Sequence, residues 1–131
     1  MTVYALDTNT LSYFLRGEGR VGERLAGTPP KNIAVPSVVV YEIRFGLRRA
    51  QRQALVRPLE QMLRLARVLD FDTQAAEHAA DIRYSLELAG TSIGPHDLLI
   101  AATARRHACT LVTHNTREFS RVPGLLMEDW Y

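Results

Sequence analysis

The chain has 131 residues, a length that suits one domain spanning 1–131 with a sizeable core. Hydrophobic residues make up 47% and charged residues 23%, which excludes a disordered chain, and no apolar run approaches the roughly 18 residues that a membrane span needs. The single cysteine, Cys109, excludes an internal disulfide and a cysteine-rich zinc site; with no basic leader ahead of Asp7, no export signal is visible and a cytoplasmic location is expected.

In chain order, Val3 to Leu6 reads as a short apolar strand that stops at Asp7. Leu11, Phe14 and Leu15 then recur at helical spacing until Gly17. A short second helix is predicted over Val21 to Leu25, and Gly27-Thr-Pro-Pro30 breaks the pattern before a second strand over Ile33 to Val35. Ser37 is the expected N-cap of a third helix running through Glu42 and Phe45 to Leu47. Leu55, Leu59, Met62, Leu63 and Ala66 share one helical face, which predicts a long amphipathic fourth helix.

Val68 to Phe71 is a third strand, and Thr73 to Leu88 a helix closed by Gly90. Gly94-Pro95 opens another helix, which ends near His107. Thr110 to Thr113 is a fourth strand, Thr116 to Phe119 a helical turn, and Leu125 to Glu128 a fifth, edge strand. Strands alternating with helices predict an α/β fold, with a central parallel sheet of about five strands and helices on both faces.

In such a sheet the functional crevice lies at the carboxyl ends of the strands. Acids gather at those handovers: Asp7 after strand one, Glu42 in the helix after strand two, Asp97 in the first turn of the Gly94-Pro95 helix, and Glu118 after strand four. Carboxylates brought together repel unless a cation neutralises them, and oxygen donors without cysteine or paired histidines suit Mg²⁺ or Mn²⁺. Each also has a plainer explanation. Asp97 can complement a helix dipole, Asn115-Thr-Arg-Glu118 can be a capping box, and Glu42 can be a surface glutamate. Asp7 has few structural reasons to end an apolar strand. His78, His96, His107 and His114 share no spacing and read as surface or rim residues.

Other α/β chemistries lack their parts. The chain has no phosphate loop, no dinucleotide glycine fingerprint and no nucleophile elbow. Lys31 is the only lysine among sixteen basic residues, so receivers and aspartate-nucleophile phosphatases, which use a late lysine, do not fit. Arginine forks suit a phosphate-rich partner, although a GC-rich genome produces the same bias.

Leu6-Asp7-Thr8-Asn9, Tyr41-Glu-Ile-Arg-Phe-Gly46, Ile93-Gly-Pro-His-Asp97-Leu-Leu-Ile-Ala101-Ala102 and Leu111-Val-Thr-His-Asn115-Thr-Arg-Glu-Phe119, followed by Val122-Pro-Gly-Leu and Glu128-Asp-Trp130, resemble in order the motifs of one family. It is the PIN-domain ribonucleases, and within them the VapC toxins of bacterial type II toxin–antitoxin modules. The resemblance implies a PIN-like three-layer fold and RNA hydrolysis with Mg²⁺ or Mn²⁺ at the acids Asp7, Glu42 and Asp97. Asn115 stands where many relatives have an aspartate, which leaves Glu118 as a candidate fourth acid. Asn9, Thr113 and Asn115 would orient ligands or substrate. The resemblance further implies a small VapB-like antitoxin, a homodimer that forms a heterotetramer or larger assembly with it, and DNA contact only through the antitoxin. Relatives cut structured RNAs, initiator tRNA at the anticodon loop among them. The alternatives are a PIN-fold binding module of a repressor complex with weak or lost nuclease activity, and a general RNA-processing PIN nuclease.

Overall fold

The computed structural model describes residues 1–131. Five strands, β1 (Tyr4–Leu6), β2 (Ile33–Pro36), β3 (Arg67–Leu69), β4 (Thr110–Val112) and β5 (Leu126–Glu128), form one sheet in the order β3-β2-β1-β4-β5. Every neighbouring pair is parallel. Seven helices connect them: α1 (Thr8–Arg16), α2 (Val21–Ala26), α3 (Ser37–Arg49), α4 (Val56–Leu65), α5 (Thr73–Ala89), α6 (Pro95–Arg106) and α7 (Thr116–Phe119). The chain steps outward from β1 through β2 to β3, then crosses back to β4 on the other side of β1. Right-handed crossovers place the helices of these two excursions on opposite faces of the sheet. The direction of winding therefore reverses between β1 and β4, which is where a crevice opens in folds of this kind.

Two glycines end helices as their positions predict. Gly17 and Gly90 adopt the left-handed conformation, at φ 71° and 69°, and close α1 and α5. Ser37 departs from the prediction: it is the first residue of α3, preceded by Pro36, and makes no cap. Its hydroxyl instead accepts from the Phe71 amide at 3.2 Å, tying the start of α3 to the loop after β3. The fourth helix is shorter than its apolar stripe predicts, because Gln53–Leu55 forms a separate 3-10 turn ahead of it. The third strand ends two residues early, at Leu69.

The core is continuous across both faces of the sheet. Leu6, Val35, Leu111 and Val112 are fully buried in the strands, and Leu11, Val39, Leu59, Ile82, Ile100, Phe119 and Trp130 pack around them. Central strands with no polar face require a cover of helices on each side, as parallel sheets do. No helix is long and apolar enough to cross a membrane. Leu111, in the strand beside β1, should be a sensitive test of this packing. We expect Leu111→Ala to lower unfolding stability by about 2–5 kcal/mol in urea titration; a loss below about 1 kcal/mol would contradict the buried position of β4.

Candidate active site

The register of the two central strands builds the site. Leu6 of β1 pairs with Val112 of β4, so Asp7 and Thr113 follow side by side at the carboxyl end of the sheet. The Asp7 amide donates to the Val112 carbonyl at 3.1 Å, and the Thr10 hydroxyl donates to the same carbonyl at 3.0 Å. Asp7 is 4% exposed and caps α1, its Oδ1 accepting from the Thr10 amide at 2.8 Å. Burial pushes its carboxyl up from the ordinary value. The Thr113 hydroxyl and the Thr10 amide and hydroxyl oppose that rise, and the charge of Glu42 adds to it.

Glu42, half-buried in α3, uses both carboxylate oxygens. Oε1 accepts from the Thr8 hydroxyl at 2.6 Å, and Oε2 lies 2.9 Å from His96 Nδ1. Asp97 sits in the first turn of α6, where burial, then the charges of Glu118, Asp7 and Glu42 in that order, push it up to about 6. His96 acts on it in the opposite direction.

Glu118 faces this cluster. The capping-box explanation fails, because Asn115 makes no side-chain cap and its amide donates to Thr113 Oγ1 at 3.0 Å rather than to Glu118. Asn115 Nδ2 donates to Glu118 Oε2 instead, and Glu118 is the carboxylate that acts most strongly on Asp97. Asn9 is exposed on the first turn of α1, beside the crevice.

The structure thus brings Asp7, Glu42 and Glu118 within electrostatic reach of Asp97, and Glu42 within reach of Asp7, with Thr113 and Asn115 bridging from Asp7 to Glu118. No arginine or lysine is paired with any of the four. Nor do any three histidine, cysteine or acidic side chains close into a ready ion cage. Glu42 and Glu118 are each held by the hydrogen bonds just described. The oxygen-only donor set and its uncompensated charge fit a hard divalent cation.

Sequence reasoning missed the part of His96 and Thr8, which hold Glu42. His96 is half-exposed at the rim, as its sequence context suggests, but its neighbour in sequence is Asp97 while its partner is 54 residues away. Of the other histidines, His78 accepts from Arg105 and His114 pairs with Asp129.

The PIN domain family matches residues 4–125. The tRNA(fMet)-specific endonuclease VapC of Salmonella typhimurium is 33% identical over 133 aligned positions, covering 99% of each chain. The chain belongs to the VapC ribonucleases of the PIN-domain family. The VapC protein of Shigella flexneri, also a tRNA(fMet)-specific endonuclease, is 36% identical over 99% of each chain. The crystal structure of DNA-bound VapBC from Salmonella typhimurium superposes with a TM-score of 0.90 at 33% identity, covering both chains completely. These VapC relatives share the whole chain length.

The uncompensated acids give a stability prediction. Asparagine keeps the cap at position 7 and removes a buried charge, so Asp7→Asn should melt no lower than the wild type in metal-free buffer. The folded pKa of Asp97, about 6, lies above its ordinary 3.8. Its contribution to stability is therefore fully present below the ordinary value and is lost as pH rises through about 6. Glu60, Asp72 and Asp129 are shifted down and act in the opposite sense, so the informative quantity is the difference between wild type and Asp97→Asn. Melting temperatures should show the wild type losing ground to Asp97→Asn from about pH 4 to about pH 6.5; parallel curves would contradict the upward shift of Asp97.

Proposed function

We propose that the chain is the toxin of a type II toxin–antitoxin module, an endoribonuclease that hydrolyses phosphodiester bonds in structured RNA with Mg²⁺ or Mn²⁺ and so arrests translation and growth. The observation that carries this reading is the set of four acids at the β1–β4 reversal without a basic partner. A binding module that had lost its chemistry would gain nothing from an unpaired Asp7 buried to 4% exposure or from an Asp97 pushed up to about 6. The tRNA(fMet)-specific activity in the names of two relatives makes tRNA the first substrate to test.

Asp7 and Asp97 would hold the cation, with Glu42 and Glu118 completing its surroundings directly or through water. When bound, the cation supplies charge stabilisation at the phosphate and lowers the pKa of water for attack. The chain's own residues do the rest. Asp7 is fixed by the Thr10 amide and cannot swing away, and Asn115 holds Glu118 by its side chain. Thr113 presents its hydroxyl to Asp7 while accepting from Asn115, which fixes its rotamer. Asn9, exposed in the first turn of α1 two residues after Asp7, would meet substrate on this reading. Arg117, next to Glu118 in α7 and without an acidic partner, would be available to a flanking phosphate, which would make RNA binding weaken with salt.

By the same reading a VapB-like antitoxin binds the domain in the cytoplasm and blocks the site. Toxin and antitoxin assemble as homodimer-based heterotetramers or larger, and DNA is touched through the antitoxin, in keeping with the DNA-bound VapBC neighbour. The single folded unit would be 1–131.

The wild-type protein should arrest growth when produced alone and be tolerated with its antitoxin. Asp7→Asn and Asp97→Asn should be tolerated alone and should leave tRNA uncut in Mn²⁺ or Mg²⁺. Cleavage by either variant at the wild-type rate, or by wild-type protein in excess chelator, would overturn the reading. Glu118→Gln decides the fourth acid: we expect it to need more Mn²⁺ for half-maximal cleavage at unchanged melting temperature, whereas superimposable titrations would leave a three-acid site.

A further inference from the structure

On the reading of Glu42 given above, we propose that His96, together with Thr8, is a positioning residue that holds the Glu42 carboxylate in register with Asp7 and Asp97. The three acids differ in how they are held. Asp7 is short, buried and locked as a helix cap. Asp97 is short and fixed to the first turn of α6. Glu42 has one more rotatable bond, and 24% of its side chain is exposed, so packing alone does not fix it. Two hydrogen bonds do: Thr8 Oγ1 to Oε1 at 2.6 Å and His96 Nδ1 to Oε2 at 2.9 Å. Thr8 follows Asp7 in sequence and His96 precedes Asp97. Each oxygen of Glu42 is therefore tied to the chain neighbour of one of the other two acids, and the three helices α1, α3 and α6 are set against one another at the point where the acids meet.

The chemistry of the imidazole supports this role. A carboxylate can only accept, so Nδ1 carries the proton and the neutral ring suffices for the bond. The ring is 47% exposed, so burial does not orient it. The edge-on contact with Tyr41 does, with centroids 5.5 Å apart and planes at 89°. Tyr41 directly precedes Glu42 in α3, so the same helix that carries the acid also braces the histidine that holds it.

Three substitutions separate this role from a direct contact with RNA. Asparagine places its amide nitrogen where Nδ1 lies, glutamine places its own where Nε2 lies, and alanine offers neither. The readouts are Mn²⁺ affinity of the RNA-free protein by calorimetry, melting temperature, and kcat and KM for tRNA cleavage. We expect His96→Ala and His96→Gln to weaken Mn²⁺ binding and lower kcat by about 10–100-fold with KM and melting temperature little changed. His96→Asn should restore most of both. Thr8→Val should resemble His96→Ala, and Thr8→Ser the wild type. Wild-type Mn²⁺ affinity in His96→Ala, or rescue by glutamine and not asparagine, would overturn the proposal, as would a loss confined to KM. Glu42→Gln serves as the control: if it is impaired while His96→Ala is not, the positioning role alone falls. If Glu42→Gln itself keeps wild-type Mn²⁺ affinity and cleavage, the assignment of Glu42 to the ion site falls and the positioning role falls with it.

Discussion

Asp7 carries a charge into a place where the fold offers it hydrogen bonds but no counter-charge. Burying a carboxylate costs several kcal/mol unless it is paired or neutralised. The Thr10 amide and the Thr113 hydroxyl meet part of that cost, yet its carboxyl remains pushed above its ordinary value. Both groups stand at the site because of strand register and the start of α1. β4 must run beside β1 with Val112 opposite Leu6 for Thr113 to reach Asp7, and α1 must leave β1 at once for Thr10 to turn back onto it. The central pairing of the sheet and the first helix are thus arranged around one carboxylate.

The remaining acids compound the problem. Asp97 arrives from α6, Glu42 from α3 and Glu118 from α7, each delivered by a different crossover to the place where the winding reverses. Their mutual repulsion is expressed most clearly at Asp97, half-buried and pushed up to about 6. Neutral donors fix the two longer acids: Asn115 takes Glu118, and Thr8 and His96 take Glu42. On the proposed reading a cation of high charge density would resolve the conflict that these contacts only moderate, which would link the site's chemistry to its stability.

Much of this was legible in the sequence. An apolar strand ending in Asp7, Pro95 two residues before Asp97, and glycines at 17 and 90 each have a local physical meaning, and β1, α6 and the ends of α1 and α5 formed where these signals placed them. The resemblance of the motifs to PIN-domain ribonucleases supplied the family, which the full-length relatives show. Long-range partners were the illegible part. Ser37 has the composition of a cap, but Pro36 precedes it and its hydroxyl is used by Phe71, 34 residues on. The spacing from Asn115 to Glu118 suits a capping box equally well. The backbone of Asn115, at φ −91° and ψ 55°, and the nearby Thr113 hydroxyl direct its amide elsewhere. No spacing connects His96 to Glu42, because that contact depends on how α6 lies against α3.

On the proposed function, a divalent cation replaces protons and missing positive charge in the acid cluster. Calorimetric titration of Mn²⁺ into the RNA-free protein, in two buffers of different ionisation enthalpy, tests it most directly. With Asp97 pushed up to about 6, binding at pH 6 should release roughly half a proton per ion from that group, and the release should fall toward zero by about pH 8. Absence of binding, or binding at pH 6 with no proton released, would contradict the account.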